Sequence, residues 1–178
     1  QGQKFSACSR AIVHRSLYDE FTQRLQAKGQ GMTVGPVEKK ENYLGPVVSA
    51  RAEKTILEYM DVGKKEGRIV NGGGKHGGPG YFLQPTVIAD VKPDARIAQE
   101  EIFGPVLAIL PASSFEEEIE IANGTIYGLT GAYYSRNRAK VVEAKRRLHV
   151  GNLYINRKCT GALVGIHPFG GFNMSGTD

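Results

Sequence analysis

Short apolar runs alternate with helix-period stretches along this chain, and that alternation restricts the fold more than any other feature. Arg10 to His14 reads as a strand, after which Ser16 can cap a helix with Leu17, Phe21 and Leu25 on one face, stopped by Gly29 and Gly31. Val34-Gly35-Pro36 and Leu44-Gly45-Pro46 flank a charged loop. Ser49 can then start a helix with Ile56, Met60 and Gly63 on one stripe, ending near Gly67. Further strands are expected at Arg68 to Val70, Tyr81 to Ala89, Val106 to Leu110, Ala132 to Tyr134 and Val150 to Tyr154. Ser114-Phe115-Glu116-Glu117 has the form of a capping box opening a helix with Phe115, Ile119 and Ala122 inside. Asn137 can cap a last helix bearing Val141, Ala144 and Leu148 among basic residues. Without any internal repeat, the alternation predicts an α/β fold: an open, mostly parallel sheet covered by helices.

The length of 178 residues, 40% of them apolar, gives room for one domain with a sizeable core. A net charge of +5 is a mild excess that favours anionic substrates or aids solubility. No basic stripe interleaved with aromatics points to nucleic acid, and no run of about 18 apolar residues points to a membrane. Cys8 and Cys159 are too few for a disulfide framework, which places the chain in a reducing compartment, the cytoplasm. Each reads as a small buried hydrophobe. The chain has no initiating Met and starts inside a recognisable motif, so it is expected to be a piece of something longer.

Two stretches invite chemistry and are better read as structure. Asn71 to Gly80 is dense in glycine around Lys75, but no Ser or Thr follows the Lys and no apolar helix comes next, so a mobile surface loop is expected rather than a phosphate cradle. Glu116, Glu117, Glu118 and Glu120 lie in or near a first helical turn, where carboxylates complement the helix dipole, and no metal site is inferred from them.

A third stretch is different. Gln99-Glu100-Glu101-Ile102-Phe103-Gly104-Pro105-Val106 sets two carboxylates beside a ring and then breaks the backbone twice. It resembles the Glu-Glu-Ile-Phe-Gly-Pro signature of the aldehyde dehydrogenase superfamily. Gln1-Gly2-Gln3-Lys4-Phe5-Ser6-Ala7 is similar to that family's nucleophile segment, and Pro168-Phe169-Gly170-Gly171-Phe172-Asn173-Met174-Ser175-Gly176 to its closing signature. The three matches fall in the family's order and span nearly the whole chain.

The resemblance implies a catalytic, aldehyde-binding domain over residues 1–178, with the cofactor-binding domain, the general-base Glu, the oxyanion Asn and the C-terminal tail all outside it. It implies NAD as the parent enzyme's cofactor, Glu101 on the nicotinamide ribose, Phe103 bounding the nicotinamide pocket, a small-molecule aldehyde as substrate, and a homo-oligomeric parent. In the family a cysteine thiolate attacks the aldehyde, the adduct passes hydride to the cofactor, and water cleaves the thioester left behind. That cysteine is the residue after Lys, and here the position holds Phe5, which has no nucleophilic atom. The chain as written is therefore expected to be inactive. Cys8, three positions on, would lie about 4.5 Å further along a helix and is a poor substitute.

Asn152-Leu153-Tyr154-Ile155-Asn156-Arg157 and Thr160-Gly161-Ala162-Leu163-Val164-Gly165 resemble the anchor loop of the branch that oxidises L-glutamate γ-semialdehyde, formed from 1-pyrroline-5-carboxylate in proline breakdown. Such a substrate needs donors converging on one carboxylate. By resemblance, the Gly161 and Ala162 amides and the Ser6 hydroxyl form the clamp, with Phe169 packing on the aliphatic chain. Without the resemblance, Thr160 to Gly165 reads as a glycine-bounded turn into a strand. Asn173 stands where the family has a basic residue. A dehydrogenase for another aldehyde, or a non-catalytic binding protein of this type, remains the alternative.

Overall fold

The computed structural model describes residues 1–176, so the last two positions of the expected 1–178 domain lie outside the described residues. The chain forms two compact units, Gln1–Lys4 with Ser9–Pro111, and Phe5–Cys8 with Ala112–Asp178.

The first unit is built on strands β1 (Arg10–His14), β2 (Arg68–Asn71), β3 (Thr86–Ala89) and β4 (Val106–Ala112), in the order β1-β4-β3-β2. Strands β3 and β4 are parallel, with Thr86 opposite Val106. All four residues of β3 are buried, as a strand covered on both faces requires. Side chains alternate across a strand, so the two faces meet different helices. Val87 and Ala89 join Val13, Tyr18, Val70 and Ile109 in a core that includes helix α1 (Arg15–Gln30). Ile88 points the other way, into helix α2 (Ala50–Glu66), where Gly63 leaves the space that its Cδ1 fills.

Helix α2 matches its expected form. The Ser49 hydroxyl accepts from the Ala52 amide at 3.2 Å, Ile56, Met60 and Gly63 are buried, and the helix stops before Gly67. Helix α1 requires a correction. Its cap is His14, whose Nδ1 accepts from the Ser16 amide at 3.3 Å, and its buried residues are Tyr18, Thr22 and Gly29. Leu17 and Phe21 are 58% and 38% exposed, while Leu25 does pack on the core. The inward position goes to a residue with a polar tip: the Tyr18 hydroxyl donates to the Ile109 carbonyl at 3.3 Å and accepts from the Asp90 amide at 2.6 Å.

The expected strand from Tyr81 to Ala89 is shorter than its pattern, because Pro85 cannot donate to a ladder and β3 starts after it. Ahead of it the glycine-rich stretch runs over the surface with Gly72, Gly73, Gly77, Gly78 and Gly80 at positive φ, and Lys75 is paired with Glu53 at 2.8 Å. A short helix α3 (Arg96–Gln99) had no sequence signal; the Glu66 carboxylate accepts from the Arg96 and Ile97 amides at 3.2 and 3.1 Å.

In the second unit, β5 (Thr130–Tyr133) and β6 (Asn152–Ile155) form a parallel pair, with helices α4 (Phe115–Asn123) and α5 (Arg138–Arg147). Phe115, Ile119 and Ala144 form the core with Tyr133 and Leu148 against them, the Phe115 and Tyr133 rings meeting edge-on at 5.8 Å. The Ser114 hydroxyl accepts from the Glu117 amide at 3.1 Å, and Glu117 reaches back to the Ser113 amide at 2.6 Å, one residue earlier than a standard capping box. Ile121, not Ala122, is the third buried residue of α4. Asn137 caps α5 as expected.

The expected α/β fold of mostly parallel strands covered by helices stands, with β3–β4 and β5–β6 parallel. The described strands make two sheets, and β2 is antiparallel to β3. A parallel neighbour needs a crossover element, whereas β2 and β3 are joined by the glycine-rich connection, which lets the chain fold straight back. If β3 is the two-faced core strand, Ile88→Ala will lower stability in denaturant unfolding by about 2–5 kcal/mol. Leu17→Ala, on the exposed side of α1, will change it by less than about 0.5 kcal/mol.

Candidate active site

In the first unit, the turn from Gln99 to Val106 separates its two carboxylates. Glu100 accepts from Arg96 Nε and Nη2, both at 2.9 Å, and from the Tyr59 hydroxyl at 2.6 Å, with the guanidinium 5.6 Å over the Tyr59 ring. The Arg96 hydrogen bonds, then that of Tyr59, hold the Glu100 carboxyl at about 2 against an ordinary 4.5. Glu101 faces outward and makes no hydrogen bond or ion pair among the described residues, so its acceptor sites are open. Phe103 follows, half-buried and at φ +55°, a backbone state that bulky side chains rarely occupy.

The next residue explains how that conformation is held. A Cβ on Gly104 would lie 2.6 Å from Ile56 Cδ1, so helix α2 presses directly on the turn. From the other side comes Gly2, at φ +81°, where a Cβ would strike the Gly104 carbonyl. The Val48 amide donates to Gln3 Oε1 at 2.9 Å, fixing the same segment. Gly2 and Gly104 are thus the contact between the first two matched motifs.

In the second unit, Phe5 and Ser6 lie in a turn, not a helix; Phe5 is 75% exposed and Ser6 is buried. Cys8 lies outside any helix and is exposed, which overturns its placement along a helix and its reading as a buried hydrophobe. Cys159 is half-buried, and its Sγ donates to the Ser6 carbonyl at 3.4 Å, bringing the start of the anchor loop to the turn. Chain direction into that loop is set by Asn156 at φ +54°, whose side chain accepts from the Ser135 amide at 2.9 Å and donates to its carbonyl at 3.1 Å. Gly161 is exposed and Ala162 half-buried, and neither amide donates to another group among the described residues. No strand follows; the Leu163 carbonyl accepts from Ile166 and His167 in a turn.

The closing segment is tied to β6. Asn152 Nδ2 donates to the Pro168 carbonyl at 2.9 Å, Phe172 donates to Gly128 at 3.0 Å, and the His149 and Phe172 rings lie 4.0 Å apart. Gly151, Pro168, Phe169, Gly170, Gly171 and Phe172 line an open depression of about 340 Å³. Asn173 sits at φ +55°, a state that Asn tolerates better than most residues.

All residues from 1 to 178 match the family model described as the aldehyde dehydrogenase family. The chain belongs to that family. It is 55% identical over 177 residues to 1-pyrroline-5-carboxylate dehydrogenase 1 of Halalkalibacterium halodurans, and 51% identical over 177 residues to the 1-pyrroline-5-carboxylate dehydrogenase of Bacillus subtilis. Each alignment covers 99% of this chain and 34% of the relative, so the chain spans 34% of the length of these curated relatives. A solved 1-pyrroline-5-carboxylate dehydrogenase from Thermus with bound NAD superposes with a TM-score of 0.95 at 52% identity, over 99% of this chain and 34% of that one. A betaine aldehyde dehydrogenase of Staphylococcus aureus in complex with NAD+ reaches 0.93 at 35% identity, over 99% and 36%.

Within this aldehyde dehydrogenase chain the predicted residues divide between the two units. Glu101 and Phe103 stand together on the turn of the first; Ser6, Gly161 and Ala162 belong to two segments of the second that the Cys159 thiol joins, and Phe169 lines the depression instead. Sequence reasoning missed Tyr59 and Arg96 as holders of Glu100, and Asn156 as the pivot of the anchor loop. Asn before a glycine-bounded loop is a signal for a left-handed turn. The Glu100 cluster carries a pH signature. A carboxyl held below its unfolded value contributes stability that is present above about 4.5 and is lost as pH falls towards about 2. Glu100→Gln will therefore lower the denaturation midpoint near neutral pH, and its difference from wild type will shrink through that acid window.

Proposed function

We propose that this chain is part of the catalytic domain of a longer dehydrogenase that oxidises L-glutamate γ-semialdehyde, from 1-pyrroline-5-carboxylate in proline breakdown, to L-glutamate. The observation that carries the proposal is the anchor loop. Two consecutive amides, Gly161 and Ala162, have no partner among the described residues and belong to a loop that the Cys159 thiol links to the Ser6 turn. Adjacent N–H groups with open donors, joined by a hydroxyl, suit the carboxylate of an amino acid aldehyde, and charge-assisted bonds of this kind orient the substrate strongly. The names of the curated relatives support the same substrate.

NAD, when bound, supplies the hydride acceptor. The residues present fit it: Glu101 offers unengaged carboxylate oxygens to the ribose hydroxyls, and Phe103 is a ring held in one backbone state where a nicotinamide needs a wall. The domain that binds the rest of the dinucleotide belongs to the longer protein, as do its homo-oligomeric assembly and its place in the cytoplasm. No helix among the described residues is long and apolar enough to cross a membrane.

Phe5 decides what this chain does itself. A phenyl ring has no lone pair to attack a carbonyl carbon, so without the thiol the bound aldehyde is held and not oxidised. A non-catalytic binding protein is the second reading, favoured by that residue alone; a dehydrogenase for an aldehyde without a carboxylate is the third. The longer protein should be assayed for NAD-dependent oxidation of glutamate semialdehyde with Phe5 and with Phe5→Cys. Turnover is expected only in the Cys form, and silence from both would move the binding protein ahead. In the Phe5→Cys background, Ser6→Ala will raise KM for glutamate semialdehyde about tenfold or more, the value of one hydrogen bond to a charged group, and leave KM for an aldehyde lacking a carboxylate unchanged.

A further inference from the structure

The second unit holds a pair of thiols that the proposed chemistry does not use. Cys8, at the end of the turn carrying Phe5 and Ser6, is exposed, and Cys159, in the loop after β6, is half-buried. Their side chains are hydrogen-bonded to each other, and no disulfide joins them. Cys159 Sγ also donates to the Ser6 carbonyl at 3.4 Å, so the segment carrying Cys159 meets the turn that leads to Cys8.

We propose that Cys8 and Cys159 are a redox-responsive dithiol that closes to a reversible disulfide, with Cys159 as the attacking thiol, Cys8 as the resolving thiol, and a peroxide as the oxidant. Reactivity follows the thiolate, and the Cys159 thiol is lowered from 9.0 to about 6. Its hydrogen bond with Cys8 is the main cause, aided by its own amide and the Thr130 hydroxyl and opposed by burial. Cys159 therefore reaches the thiolate more readily than an ordinary cysteine, giving up the proton it donates to the Ser6 carbonyl. Its sulfur attacks one peroxide oxygen, the O–O bond breaks and water leaves after protonation, giving a sulfenic acid. The Cys8 sulfur then attacks the Cys159 sulfur, the S–O bond breaks, and a second water departs as the S–S bond forms. The two sulfurs lose two electrons in all, the peroxide gains them, and the protons of both thiols end in the waters. Exposure of Cys8 lets a small thiol reductant reverse the step.

The test needs no knowledge of the substrate and is independent of the proposal about glutamate semialdehyde. The longer protein is treated with hydrogen peroxide, alkylated with iodoacetamide, digested and mapped by mass spectrometry. The expected product is a linked peptide pair containing Cys8 and Cys159, two hydrogens lighter than its parts and lost on treatment with dithiothreitol. In Cys8→Ser, dimedone should trap a sulfenic acid at Cys159; in Cys159→Ser, Cys8 should escape dimedone at the same peroxide dose. Recovery of both cysteines alkylated and unlinked, or either one joined to a different cysteine, overturns the pair. Dimedone on Cys8 in Cys159→Ser overturns the assignment of the attacking thiol. The wild-type map decides the pairing even if a variant misfolds.

Discussion

The first unit depends on β3 being covered on both faces. Val87 and Ala89 face the core that contains Tyr18, and Ile88 fills the space over Gly63 of α2. A four-residue strand so enclosed leaves its neighbour little freedom. The Thr86 amide donates to the Pro105 carbonyl at 2.8 Å, which places the residues just before β4 at the head of β3. Ile56 of the same helix α2 then presses on Gly104. Packing that exists to bury apolar surface is thereby what positions the turn bearing Glu101 and Phe103.

That turn also shows how a short motif can hold an unfavourable backbone state. Phe103 is one of four non-glycine residues at positive φ among the described residues; the others are Asp90, Asn156 and Asn173, types that tolerate it. For a phenylalanine the state costs on the order of 1–3 kcal/mol and persists only where the surroundings impose it. Gly2 and Ile56, closing on Gly104 from two sides, are those surroundings. The strain is thereby concentrated on one aromatic residue of the turn.

Much of this was legible in the sequence where local chemistry and tertiary packing agree. Ser49, Ser114 and Asn137 cap the helices they precede, and the Ile56, Met60 and Gly63 stripe is buried. The face of α1 was not legible, because Leu17, Phe21 and Leu25 make a better apolar stripe than Tyr18, Thr22 and Gly29. Two long-range hydrogen bonds of the Tyr18 hydroxyl, to residues far along the chain, outweigh that periodicity. The split between Glu100 and Glu101 was hidden for the same kind of reason: Tyr59 is distant in sequence, and adjacency in the motif does not tell which carboxylate a distant helix will take. Cys8 and Cys159, each unremarkable alone, meet only through the fold.

Position 5, where the proposed reaction calls for a thiol, can be separated from the fold around it. Phe5 is 75% exposed, so its ring contributes little to the core, while Ser6 beside it is buried and its carbonyl accepts from Cys159. The neighbour Ser6 anchors the turn through its burial and its carbonyl. A smaller side chain at position 5 removes little buried area, and the associated loss in stability is correspondingly small. The exposure of Phe5 therefore leaves position 5 open to replacement without rebuilding the turn.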